Sequence, residues 1–287
     1  SFMFGSELSA IRAGGGKCLE VDRNSLSLLL RYGYVSAPST IFKMIKKMVP
    51  GQILTVRTED RGLRVDERAY WSASDLIEEV DEPVVTTKES LISRLDAELR
   101  SVVAEKLISD VPLGAFLSGG IDSSTIVAMM QAGSEKNVKT FSIGFKEESY
   151  NEAPYARRVA DHLRTEHTEL YVSSEQARGV ICEIPRIYSE PFADSSQIPT
   201  YLLCKLARKH VTVALSGDGA DEIFGGYNRY ALGYQIWRRA LRLPWVCRAV
   251  LQYLIERVPP RLLNDISDRL SPILPTTMHV KQPGHKL

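Results

Sequence analysis

Leu113-Gly114-Ala115-Phe116-Leu117-Ser118-Gly119-Gly120-Ile121-Asp122-Ser123-Ser124 decides the fold. Residues 113–117 are apolar and uncharged, as in a strand buried on both faces. Ser118-Gly119-Gly120 then breaks the run, and a helical stretch follows over 123–131. A strand, a glycine turn and a helix N-terminus bring backbone N–H groups and the helix dipole to bear on one anion. The expected ligand is a phosphate. Three related motifs are excluded: no Gly-Lys-Ser/Thr follows Gly120, the third glycine of a dinucleotide fingerprint is missing, and Phe116 stands where a nucleophile elbow carries glycine. The loop offers instead one carboxylate, Asp122, beside three hydroxyls, Ser118, Ser123 and Ser124. A carboxylate next to bound phosphate is repulsive without an intervening cation, so magnesium is expected at Asp122. The alternative is an ordinary strand-to-helix turn in which Asp122 or Ser123 caps the helix.

Strand and helix patterns go on alternating downstream. Strands are expected at 113–117, 138–144, 169–172 and 211–215, and helices at 123–131, 153–163, 176–188, 200–209 and onward from Tyr227. Such alternation implies right-handed crossovers and a parallel sheet, with ligands at the carboxyl ends of its strands. At the second strand the apolar edge of Ile143 suits adenine, although a core strand predicts the same residue. A third turn, Ser216-Gly217-Asp218-Gly219-Ala220-Asp221-Glu222, follows the last strand. Asp218 and Asp221 are three apart, which at a helix start puts them on one face, so the turn reads as a second metal-and-substrate element. A solvated turn is the alternative.

Upstream, residues 1–85 read as a small α+β piece. Asp22 or Asn24 starts a helix, residues 52–57 and 63–70 form a hairpin, and residues 2–11 begin as a strand before turning helical. A domain boundary is expected at about residue 85, followed by a helix with a Thr86/Glu89 capping box and an apolar face of Leu91, Leu95, Leu99, Val102 and Val103. Cys18, Cys182, Cys204 and Cys247 are scattered, so neither a zinc site nor a disulfide framework is expected, and Cys18 reads as a small buried hydrophobe. A net charge of +1 argues against nucleic acid and membrane surfaces, and no apolar run approaches the roughly 18 residues of a membrane span. The cytoplasm is the expected compartment.

Ser118 to Ser124 resembles the pyrophosphate loop of ATP pyrophosphatases. Asn151-Glu152-Ala153-Pro154-Tyr155-Ala156, Glu190-Pro191-Phe192-Ala193-Asp194-Ser195-Ser196 and the Ser216 turn follow it in the order found in glutamine-dependent asparagine synthetases, most like a bacterial amidotransferase branch. Residues 4–8, 33–35 and 47–51 resemble the closing part of that family's glutaminase. The resemblance implies an α/β fold: a parallel-sheet ATP pyrophosphatase-type synthetase domain over 86–287, preceded over 1–85 by an α+β remnant of an N-terminal-nucleophile glutaminase. It implies a fragment lacking both ends, with the family's N-terminal cysteine and catalytic lysine outside it, so Lys281 and Lys286 receive no role. It further implies ATP and Mg2+ as cofactors and amidation of aspartate through an aspartyl-adenylate, with ammonia from glutamine. The partners are then small molecules, and a homodimer is left open.

By position, Leu117, Ile143, Ser216 and Gly217 match the family's ATP contacts, and Ser118, Gly119, Gly120, Asp122, Ser123 and Ser124 form the phosphate loop. Asp122 and Asp221 match its magnesium ligands, and Asp218 its acidic residue for adenylate formation. Some members carry Glu in place of Asp218 and glycine in place of Ala220. A related amidotransferase acting on another carboxylate and a non-catalytic nucleotide-binding module are the alternatives.

Overall fold

The computed structural model describes residues 2–15, 19–60, 62–78, 87–145 and 151–257. Its N-terminal module holds α1 (Leu8–Gly15), α2 (Arg23–Tyr32) and the antiparallel hairpin of β1 (Gln52–Glu59) and β2 (Gly62–Ala69). Asp22 starts α2: its carboxylate accepts the Asn24 N–H at 3.2 Å and the Ser25 hydroxyl at 2.9 Å. Gly33, at φ 83°, ends it and donates to the Leu29 carbonyl. The expected strand before α1 does not form. Residues 2–5 have no regular structure, and Phe4 is 87% exposed, for a strand without a neighbour has nothing to satisfy its backbone. Leu8, Val35 and Ile41 make a small core with Leu29, Phe42 and Ile45. Helix α3 (Ala73–Glu78) follows. Cys18, Thr86, the expected boundary at residue 85, Lys281 and Lys286 lie outside the described residues.

Helix α4 (Lys88–Leu107) is capped one residue later than expected, by Thr87, whose hydroxyl accepts the Ser90 N–H. Of its apolar face only Val103 is buried, where the helix reaches the sheet's core. After it come β3 (Leu113–Phe116), α5 (Ile121–Ala132), β4 (Lys139–Phe145), α6 (Ala153–Leu163), β5 (Glu166–Val172), α7 (Ser174–Val180), a 3-10 turn (Ile181–Glu183), α8 (Ile184–Ile187), α9 (Gln197–Ala207) and β6 (Val213–Leu215). The single helix expected over 176–188 is divided, with Pro185 at the start of α8, where the missing N–H and the ring interrupt a continuous ladder.

All four strands pair in parallel, in the order β5-β4-β3-β6. The chain therefore steps outward from β3 to β4 and β5, then returns to the other side of β3. Such a switch point opens a crevice at the carboxyl ends of the central strands. Side chains alternate across the sheet. Ala115 and Leu117 face a core with Val127 and Met130 of α5 and Ala156 and Ala160 of α6, while Phe116 and Phe141 belong to the opposite layer with Leu203, Leu206 and Ala207 of α9.

Residues 219–287 form a second unit, in which α10 (Ala220–Phe224), α11 (Asn228–Ala240) and α12 (Trp245–Arg257) are described. The helical stretch expected from Tyr227 onward corresponds to α11 and α12.

Strand β5 (expected from 169) starts three residues before its expected bound because polar side chains on it, His167 and Glu169, are enclosed against the neighbouring strand and helix. His167 Nδ1 meets the Thr140 hydroxyl at 2.8 Å, and its Nε2 meets the Ser142 hydroxyl at 3.2 Å. Glu169 accepts two bonds from Arg157, at 2.8 and 2.6 Å. Burial, aided by Arg157, holds the His167 pKa below the ordinary imidazole value despite nearby Glu169, and the bonds from Arg157 hold Glu169 below the carboxylate range. Both folded pKa values are depressed, so acid protonates the unfolded chain first and stability is lost as pH falls. Thermal melts should show a first decline below about pH 6.5 and a second below about pH 4.3, the ordinary values of the two groups. His167→Gln should remove the first decline and keep the second.

Candidate nucleotide site

The Ser118–Ser124 loop is knitted to α5 by its own hydroxyls. Ser118 N–H donates to Ser123 Oγ at 3.2 Å, the two hydroxyls share a bond of 2.9 Å, and Gly120 N–H donates to Ser118 Oγ at 3.2 Å. Gly120 occupies the cap position of α5 with no side chain to close it, so neither Asp122 nor Ser123 caps the helix. The helix's first amides thus carry no side-chain cap, an arrangement suited to an anion. Ser124 Oγ is buried without a partner, the one such side-chain oxygen or nitrogen among the described residues. A buried orphan hydroxyl costs about 1–3 kcal/mol until something bonds it. Beside the loop lies a cavity of about 650 Å³, lined by Gly119, Ser124, Tyr155, Arg158 and His162 among others. Arg158 and His162 were not singled out from sequence, although two basic side chains four apart on one helix were the available signal.

Two glycines set the geometry. Gly119 has φ 81°, and a Cβ there would lie 2.6 Å from the Ala156 nitrogen, against the first turn of α6. At Gly217 a Cβ would lie 2.7 Å from the Ser123 nitrogen and 2.8 Å from the Asp122 carbonyl carbon. The Ser216-Gly217 turn therefore rests directly on the start of α5, and the two motifs meet across the β3/β6 switch point. Ser216 Oγ donates to Asp218 Oδ2 at 3.0 Å and accepts the Asp218 N–H at 3.3 Å, which holds this carboxylate at the turn.

Other expected residues are distributed as follows. Leu117 is 2% exposed: its side chain belongs to the core and its N–H donates to the Phe141 carbonyl at 2.9 Å. Ile143 is half-buried near the carboxyl end of β4. The argument that Asp218 and Asp221 share a helical face does not hold. Helix α10 begins only at Ala220, and its cap, Gly219, is left-handed with φ 91°, so Asp218 precedes the helix. Asp221 lies in the second unit, where its carbonyl accepts the N–H groups of Gly225 and Gly226. No group of three or more His, Cys, Asp or Glu side chains arranged to hold a metal occurs among the described residues. Magnesium is commonly held by one or two carboxylates, with phosphate and water completing the shell, and Asp122 at the loop fits that pattern.

A glycine-rich strand-to-helix loop at the switch point of a parallel sheet defines an α/β protein. The family model for asparagine synthase matches residues 94–277, and that for a glutamine amidotransferase domain matches residues 1–71. The chain belongs to the asparagine synthase family. It is 38% identical over 238 residues to a putative glutamine-hydrolysing asparagine synthetase 2 of Methanocaldococcus jannaschii, covering 82% of this chain and 44% of that protein. It is 36% identical over 212 residues to glutamine-hydrolysing asparagine synthetase 1 of Bacillus subtilis, covering 74% of this chain and 32% of that protein. The chain thus spans less than half the length of these relatives. Among the described residues no helix is long and apolar enough to cross a membrane.

Ser124→Ala separates ligand binding from folding. Removing the orphan hydroxyl should leave the melting temperature unchanged or higher while weakening ATP binding, read by scanning fluorimetry and a titration on one sample. Gly217→Ala should do the reverse to stability, at about 1–3 kcal/mol for overpacking against α5, and should weaken ATP binding as well.

Proposed function

We propose that in the complete protein this chain carries out ATP-dependent amidation of L-aspartate to L-asparagine through a β-aspartyl-adenylate, with ammonia released from glutamine. The observation that carries the reading is the meeting of the Ser118 loop and the Ser216-Gly217 turn on the first turn of α5, beside the unpartnered Ser124 hydroxyl. Family membership and the amidotransferase match over residues 1–71 support it.

A carboxylate resists ammonia because its leaving group would be hydroxide or oxide. In the proposed reaction an oxygen of the aspartate side chain bonds to the α-phosphorus of ATP, and the bond to the β-phosphate oxygen breaks and frees pyrophosphate. Ammonia nitrogen then bonds to the activated carbonyl carbon, AMP leaves with the C–O electron pair, and the nitrogen loses a proton. The backbone at Leu117 and the half-buried Ile143, at the carboxyl ends of adjacent strands, border the adenine. The uncapped amides of α5 and the Ser124 hydroxyl receive the departing phosphates. A helix N-terminus is worth only about 0.3–2 kcal/mol toward an anion, so further positive charge is required. Arg158, on the cavity shared with Gly119 and Ser124, can supply part of it. Asp122 would hold magnesium, which when bound neutralises charge on the phosphate oxygens. Asp218, held at its turn by Ser216, is the acid assigned to adenylate formation.

In the complete protein Asp122→Asn should lower aspartate-dependent pyrophosphate release about a hundredfold or more, the scale of losing one transition-state charge contact. Circular dichroism should be unchanged. A wild-type rate would overturn the assignment, and equal release with glutamate or other acids would overturn aspartate as the acceptor.

A further inference from the structure

We propose that Glu190 is a positioning residue that ties the N-terminal module to the 188–197 loop of the synthetase sheet, so that its carboxylate sets how tightly glutamine hydrolysis follows amide formation. The inference rests on the amidation reading and adds to it the contact through which the two activities are linked.

Glu190 lies between α8 and α9, with its side chain 15% exposed. Each carboxylate oxygen has its own partner in the N-terminal module. Oε1 accepts the Ile41 N–H at 2.6 Å, and Oε2 is ion-paired with Lys47 Nζ, which also donates to the Val35 carbonyl. These partners are themselves fixed. Val35 and Ile41 are core residues of the module, and the buried Thr40 hydroxyl donates to the carbonyls of Phe42 and Ile45, each at 2.9 Å, and accepts the Phe42 N–H at 3.1 Å. Neighbouring contacts join the same two segments: Ala193 N–H donates to the Gly33 carbonyl at 2.6 Å, and Ser189 Oγ donates to Glu7 Oε2 at 2.9 Å. Within this group Glu190 makes the one contact between two opposite charges.

On its other side the loop is fastened to α9. Gln197 Nε2 donates to the carbonyls of Phe192 and Asp194 at 2.9 and 2.7 Å, and Tyr188 OH donates to the Gln197 carbonyl at 3.2 Å. Leu203, Leu206 and Ala207 of α9 pack against Phe116 and Phe141, on the strands that lead to Leu117 and Ile143. A continuous set of hydrogen bonds and packed side chains therefore runs from Lys47 and Ile41, through Glu190, to the strands that carry the nucleotide loop. Energetic coupling travels through contiguous networks of this kind.

Two acceptor oxygens facing two donors explain why a carboxylate is needed. Glutamine keeps the shape but has one oxygen and one NH2 group, so it can satisfy Ile41 or Lys47 and turns a donor toward the other. The test uses the complete protein and measures glutamine hydrolysed per amide formed, the amide-forming rate with an ammonium salt in place of glutamine, and the melting temperature. Glu190→Gln should raise the glutamine-to-amide ratio about fivefold, at the low end of coupling between sites, with the ammonium-driven rate within about twofold of wild type. Lys47→Arg should keep the wild-type ratio. Lys47→Met, which leaves the Ile41 bond intact, should raise the ratio and serves if Glu190→Gln fails to fold. A merely structural role would depress both routes together and leave the ratio unchanged, which would overturn the proposal. If the wild-type protein releases no pyrophosphate with ATP, aspartate and ammonium, the amidation reading fails and this inference falls with it. An active wild type with an unchanged ratio in the variants defeats the coupling role alone.

Discussion

The close approach of Gly217 to the first turn of α5 is the contact on which the rest of the site depends. A side chain there would overlap the Ser123 nitrogen and the Asp122 carbonyl carbon, so the last strand can end beside the first only if its turn has no Cβ. That constraint follows from the strand order. Because β6 returns to the free side of β3, both loops leave the sheet at the same edge and compete for the same space. The result brings the uncapped helix amides and the serine-held carboxylate of Asp218 to the same carboxyl edge of the sheet.

Burial of polar groups follows two different rules in this chain. Around His167 the buried hydroxyls of Thr140 and Ser142 and the Glu169 carboxylate have close partners, so the polar strand β5 is held without leaving a donor or acceptor idle. At Ser124 the hydroxyl is left without one. A fold that satisfies its polar groups around β5 and leaves this hydroxyl without a partner offers a ligand one hydrogen bond beside the loop. The same contrast appears at the module contact, where both oxygens of Glu190 are engaged and the group serves position rather than chemistry.

Much of the sheet was legible from residues alone. The apolar run of Leu113 to Leu117, its glycine turn and the downstream alternation imply parallel strands with ligands at their carboxyl ends, and α6 has the expected bounds of Ala153–Leu163. These features are local: hydrophobic period, turn chemistry and caps act within a few residues of each other. Where a segment's state depended on distant partners the reading failed. The start of β5 is stabilised by hydroxyls on β4, and the strand expected near Phe2 has no neighbour to pair with among the described residues; the division at Pro185, by contrast, is a local signal that the apolar spacing obscures.

The sequence by itself therefore determined the class of fold, the phosphate-type loop and the residue types that attend it, because glycines, hydroxyls and carboxylates in fixed spacing carry their chemistry along the chain. Only the tertiary structure decided that Gly217 rests on α5, that Gly219 leaves Asp218 outside its helix, that Ser124 is unpartnered, and that Glu190 reaches back to Lys47 and Ile41. These are distances between segments far apart in sequence, a backbone angle at a glycine, and the lack of a partner for one buried hydroxyl. No local pattern encodes such quantities, because they are set by the strand order and by which side chains the sheet and helices leave room for.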